Sequence, residues 1–160
     1  MKSLEINILK PVRMTKESLL ESAESLKQPS ALSAKEFEEK SEILAAEMNR
    51  LMGSRADLVQ LIGDGNTAMM GDNHRNHARF MSSVFQHFQP VVLVETVLWV
   101  YRAYRSHGFH LTYWPAQLDQ WVELFKVQLS PEAFQEIYPF YYWMIVNQPA
   151  FVMESDKMMG

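Results

Sequence analysis

The sequence contains no cysteine. That rules out disulfides, thiol catalysis and cysteine-based zinc knuckles, and it leaves the redox compartment open. Basic charge is also thin. Fifteen Lys and Arg stand against 19 Asp and Glu, a formal net charge of -4. No basic run or stripe offers itself to phosphates, which argues against a nucleic-acid partner. Long hydrophobic runs are missing as well. The longest, PVVLVETVLWVY over residues 90–101, is too short to span a bilayer and carries Glu95. The N-terminal MKSLEINILKPVRM lacks the apolar core and small-residue cleavage site of a secretory signal, so the expectation is a cytoplasmic protein. Aromatics are scarce in the first half, where only Phe37 and Phe80 occur. The core, and any pocket, is therefore to be sought after residue 80.

Recognisable catalytic patterns are absent too. Ser82, Ser83 and Ser106 have no nucleophile-elbow motif and no base at a readable spacing. The paired ExxH motifs of di-iron carboxylate proteins do not occur. Asp64, Asn66, Asp72 and Asn73 crowd one loop, but they break the EF-hand order and lack its terminal Glu. His74 and His77, with Asp72, could hold a divalent cation. They read equally as a helix-start histidine followed by a hydrogen-bonded core histidine.

What is present is helical periodicity. At 160 residues and 48% apolar, the chain is one domain able to bury a sizeable core. Residues 1–14 read as an arm, 15–150 as a helical domain and 151–160 as a flexible tail. Thr15 caps a first helix. Ser33 with Glu36 forms a capping-box pattern for a second, running to about Met52 with Phe37, Leu44, Met48 and Leu51 inward. RADLVQLIG is a short helix, and DGNTAMMGDN reads as a loop. Asp72 or Asn73 then caps a helix whose face is His74, His77, Met81, Val84 and Phe88, spaced 3, 4, 3, 4. The next, from about Gln89 to Ser106, has almost no polar side and is expected to run through the interior, with Gly108 in its C-terminal turn. WPAQLDQWVELFKVQL turns Leu118, Trp121, Val122 and Phe125 inward. Ser130-Pro131-Glu132 starts a last helix to about Asn147, which Pro139 should kink or interrupt. The expectation is an all-α domain of six to seven helices.

The stretch AYRSHGFHLTYWP, residues 103–115, joins two of these helices and gathers histidines and aromatics. A histidine-bearing helix, an apolar helix ending at Tyr104–His107, a tight corner "HGF…YW" and two closing helices resemble the globin superfamily. The resemblance covers roughly residues 34–147. It is more like globin-fold sensor domains and phycobilisome-type relatives than like oxygen carriers. It implies haem, or another flat or apolar ligand, between the helices at 73–88 and 89–106. His107 would be the proximal haem-iron ligand, with Tyr104 as the alternative one turn earlier. His77 or His74 would take the distal place, with Met81 on the same face. Arg102 and Arg105 could pair with the carboxylates of haem, a fatty acid or a bilin, and either could support a Tyr104 tyrosinate.

Each of these residues also has an ordinary structural reading. His107 suits a helix C-terminal turn, Arg102 and Arg105 can snorkel or pair with Glu95, and Met81 fills space adaptably. Two functions follow: a ligand-binding sensor signalling through a dimer, or a cofactor-free globin-fold regulatory module with a filled core and a protein partner. In both, the aromatic segment 114–147 is expected to form a homodimer, because four consecutive aromatics, Phe140 to Trp143, cannot all face one core.

Overall fold

The computed structural model describes residues 15–159. Among the described residues there are eight helices and no strand: α1 Lys16–Ala23, α2 Ala31–Gly53, α3 Leu58–Ile62, α4 Thr67–Gln86, α5 Pro90–Arg105, α6 Tyr113–Gln128, α7 Pro131–Val146 and α8 Gln148–Met159. The all-α expectation holds. Val94, Leu98, Leu118 and Trp121 are buried as their spacing requires. The arm expected at 1–14 lies outside the described residues. No helix among them is long and apolar enough to cross a membrane.

The helices sort into two groups. The long α2 packs against α4, α6 and α7, while α5 packs against α8 and α1. Two glutamates lock α2 to α7 where their N-termini overlap. Ser30 caps α2 and Ser130 caps α7. Glu36 of α2 accepts from the Ser130 N–H and hydroxyl, both at 2.7 Å. Glu136 of α7 accepts in return from the Ser30 N–H and hydroxyl at 3.0 Å, and from the Ser33 hydroxyl. Each carboxylate thus lies at the positive N-terminus of the other helix. The start of α2 lies three residues earlier than the capping-box pattern indicates, and Glu36 caps α7 rather than its own helix.

Four further expectations change. The loop expected over residues 64–73 ends at Asn66, and α4 begins at Thr67. Ala68, Met69 and Met70 are strong helix formers, and Gly71 is buried where an added Cβ would meet the Asn49 and Arg75 side chains. α5 is not interior throughout. Leu93, Val94, Leu98 and Tyr101 form its buried stripe, while Val91, Val92 and Trp99 are exposed. The segment 151–160, expected as a tail, lies almost wholly in α8. Pro149 ends one helix and suits the first turn of the next. Phe151 and Ser155 are then fully buried, and Arg105 holds α8 through Ser155 at 3.1 Å and Asp156 at 2.6 Å. α7 runs unbroken through Pro139, which is exposed.

A candidate ligand cavity between α4 and α5

Because α4 packs on α2 and α5 packs on α8 and α1, the space between α4 and α5 is left to side chains. It holds a cavity of about 210 Å³. α4 lines it with Asn73, Asn76, His77, Phe80 and Met81, and α5 with Thr96, Val97, Trp99, Val100, Tyr101 and Tyr104. These sets recur every three or four residues, as one helical face must. Trp114, Gln117 and Leu118 of α6 close one side, and Met144 and Phe151 close the end toward α7 and α8. No lining side chain is charged. Trp99 is 55% exposed and Asn76 is also exposed, so the wall reaches solvent there.

The polar groups of the wall come in two kinds. Asn73 and Gln117 belong to a buried network around Tyr113, whose hydroxyl lies 2.7 Å from Asn73 Oδ1, 3.2 Å from Gln117 Oε1 and 3.2 Å from His74 Nε2. His74 Nδ1 meets Asn49 Oδ1 on the far side. His77 Nε2 lies 2.6 Å from the Tyr141 hydroxyl, and its ring sits against Trp121 at 4.9 Å. Burial, with the Arg75 charge, holds the His74 pKa down to about 4. Burial, with His74, holds that of His77 down to about 3. Both are neutral near pH 7. Burial pushes the Tyr113 and Tyr141 phenols up, so both stay protonated. The second kind has no partner: the Tyr101 hydroxyl and Trp114 Nε1 are buried without a hydrogen bond, as is Trp121 Nε1 behind His77.

The expected site residues divide accordingly. His77, Met81 and Tyr104 line one cavity, placed between α4 and α5. His74 is buried beside it in the Tyr113 network. His107 is exposed at the end of α5, outside the wall, and it is the backbone that ties this joint down. The His107 carbonyl accepts from Asn66 Nδ2 at 2.9 Å, and the His110 N–H donates to the Leu61 carbonyl at 2.8 Å. Gly108, at φ +99°, makes the turn. Arg105 is committed to α8. Arg102 lies in the adjoining groove with Lys16 and Glu95. Asp72 pairs with Arg75, and no cluster of three metal-ligating side chains occurs among the described residues. Tyr101, Trp114 and Gln117 were not among the expected site residues. The spacing of Val97, Tyr101 and Tyr104, one face of α5, carried the signal for the first.

This donor set does not fit haem. His107 does not reach the cavity, His77 Nε2 is engaged by Tyr141, and Tyr104 lines the wall without either arginine there to support a tyrosinate. A volume of about 210 Å³ is also below the ~300–1,000 Å³ of pockets that hold drug-sized ligands. No known family, characterised protein or solved structure matches the chain. Function is therefore argued from the site itself.

Proposed function

We propose that the chain is a globin-like, cytoplasmic sensor domain that binds a small apolar molecule between α4 and α5 and passes its occupancy to α8. The cavity carries this reading. Protein interiors are close-packed, with few voids larger than a water molecule, and this one is apolar, uncharged and open to solvent at Trp99. His77 and Tyr104 line it from opposite helices, with Met81 one turn on from His77. The coupling is physical. Phe151 is part of both the wall and α8, and Arg105 links the end of α5 to the same helix. A ligand that presses on Phe151 acts on the seat of α8.

Calorimetric titration with isopropylbenzene tests the reading. A saturable site is expected in the native chain. It should be lost in Val97→Phe, a half-buried wall position whose substitution fills the cavity, while helical circular dichroism is kept. Haemin is expected to give no sharp Soret band; a band that His107→Ala abolishes would return haem to the site.

A second reading, the cofactor-free interaction module, is favoured by an outward aromatic ladder on α7. Phe134 stacks on Tyr138 at 5.4 Å, and Tyr138 approaches Tyr142 at 6.2 Å. Tyr142 is exposed, as is Val146 one turn on. Such a stripe suits a protein partner or a second copy of the chain. The homodimer through residues 114–147 belongs to both readings.

A further inference from the structure

An apolar cavity would admit many molecules, but three features of its wall narrow the choice. First, Tyr101 and Trp114 are each 3% exposed, both line the cavity, and their hydroxyl and Nε1 have no hydrogen-bond partner. Buried polar groups are nearly always partnered, and an unmet one is costly. An indole N–H can only donate, and a phenol held protonated also has a proton to give. Second, no charged side chain lines the wall, so a carboxylate or phosphate would be buried there unpaired, which is strongly unfavourable. Third, the two rings stack on one another at 4.6 Å with 23° between their planes, which sets their edges side by side in the wall. Size sets a further bound. An apolar cavity of about 150 Å³ takes benzene, so about 210 Å³ has room for one ring and a short substituent.

We infer that the cavity selects a neutral single-ring compound bearing a carbonyl-type oxygen, whose entry shifts the two rings so that it accepts hydrogen bonds from the Tyr101 hydroxyl and Trp114 Nε1, both closed off in the ligand-free chain. This rests on the ligand-binding reading proposed above. It extends that reading from shape to chemistry: the unpaired donors are the recognition groups, and their partner arrives with the ligand.

The test uses three probes of similar size titrated calorimetrically into the intact chain: acetophenone, isopropylbenzene, in which a methyl replaces the carbonyl oxygen, and benzoate. They are compared in the native chain, Tyr101→Phe and Trp114→Phe. Tyr101→Phe removes one oxygen and keeps the ring, and unchanged helical circular dichroism verifies the fold of both variants. Acetophenone affinity is expected to fall about tenfold in each variant, the size of one lost buried hydrogen bond. Isopropylbenzene should bind both no more weakly than before, and benzoate should give no saturable heat. If acetophenone loses no more than isopropylbenzene, the acceptor inference is overturned while the cavity remains a binding site. If benzoate binds more tightly than acetophenone, neutrality is overturned. If neither neutral probe binds the native chain, this inference and the ligand-binding reading fall together.

Discussion

Around α2 the core is a set of interlocking rings. Phe37 meets Phe85 edge-on at 4.9 Å and Phe125 at 5.7 Å, and Phe125 meets Tyr141 at 4.7 Å. Around α5 the rings are as large but their arrangement differs. Tyr101 lies between Trp114 and Phe151, stacked on both, and the face toward α4 borders the cavity. On the α2 side the polar groups at the helix starts are met, by Glu36 and Glu136. Unmet donors remain elsewhere: the Tyr101 hydroxyl and Trp114 Nε1 beside the cavity, and Trp121 Nε1 behind His77. A chain can keep unmet donors and empty space in one region only if another supplies stability in excess. The α2 side has the form of that supply and the α5 side the form of a site.

The most severe test is to truncate one side chain in each region. Phe37 is fully buried between two others, and Phe37→Ala is expected to cost about 3–5 kcal/mol. Val97 is half-buried beside space that already exists, and Val97→Ala should cost about 1 kcal/mol or less. Urea unfolding of both variants measures the difference. Equal losses would mean that the two regions carry the fold alike.

The histidines give the next largest effect, through pH. Folded, His74 titrates at about 4 and His77 at about 3; unfolded, both return to about 6.5. Between those values the unfolded chain binds more protons, so stability must fall as pH drops below about 6.5. The slope is at most about 1.4 kcal/mol per pH unit for each histidine. On the order of 2 kcal/mol per histidine is lost by pH 5. His77→Gln should flatten the curve in that window. A flat profile in the native chain would show that both rings reach solvent.

The reciprocal caps act lower on the pH scale and more weakly. Burial alone would raise the Glu36 pKa, but the Ser130 N–H and hydroxyl, with Lys40, outweigh it and hold the group below the usual carboxylate value. The Ser33 hydroxyl, then the Ser30 N–H, do the same for Glu136. A depressed carboxylate contributes stability that is present above its unfolded pKa and lost as pH falls through the folded one. The caps are therefore intact at pH 7 and fail below about pH 4. Glu36→Gln and Glu136→Gln should each cost about 1 kcal/mol at neutral pH. The double variant should lose less than the sum if the pair acts as one joint.

The α5 side should respond in the opposite direction. Tyr101→Phe removes a buried hydroxyl without a partner, so the ligand-free chain is expected to gain about 1 kcal/mol while losing affinity for acetophenone. A loss of stability instead would mean that the hydroxyl has a partner in solution and is not a recognition group.

Much of the α2 side was legible in the sequence because it rests on local signals. Phe37, Leu44 and Met48 show the helical period, and Ser130-Pro131-Glu132 marks a start that the structure keeps. The errors lie where long-range contacts decide. Glu36 looks like part of its own capping box until α7 is in place. α8 looks like a tail, since its burial depends on Phe151 meeting Tyr101 and Trp143. That His77 and Met81 share one face of α4, as their spacing indicates, could be anticipated. Tyr101 and Trp114 could not be singled out, because what distinguishes them is the absence of a partner, a property of the fold and not of spacing.

The smallest effect on stability, and the sharpest on association, is expected at the surface of α7. Four consecutive aromatics there divide three to one: Phe140, Tyr141 and Trp143 are buried, and Tyr142 is 55% exposed. α7 can bury three because it lies among several helices; Trp143 donates from Nε1 to Ser22 of α1 at 2.8 Å and meets Phe151 of α8. What remains outside is the ladder from Phe134 through Tyr138 to Tyr142. On α6 the exposed positions include Asp119, Glu123 and Lys126, which a dry interface disfavours. The proposed dimer surface therefore narrows from residues 114–147 to the outer face of α7. Tyr142→Asp should leave the intrinsic stability of one chain within about 0.5 kcal/mol, yet convert a dimer to a monomer. Sedimentation at micromolar concentration separates the outcomes. A native chain that already sediments as a monomer would remove the dimer from both functional readings and leave the ladder to a different partner.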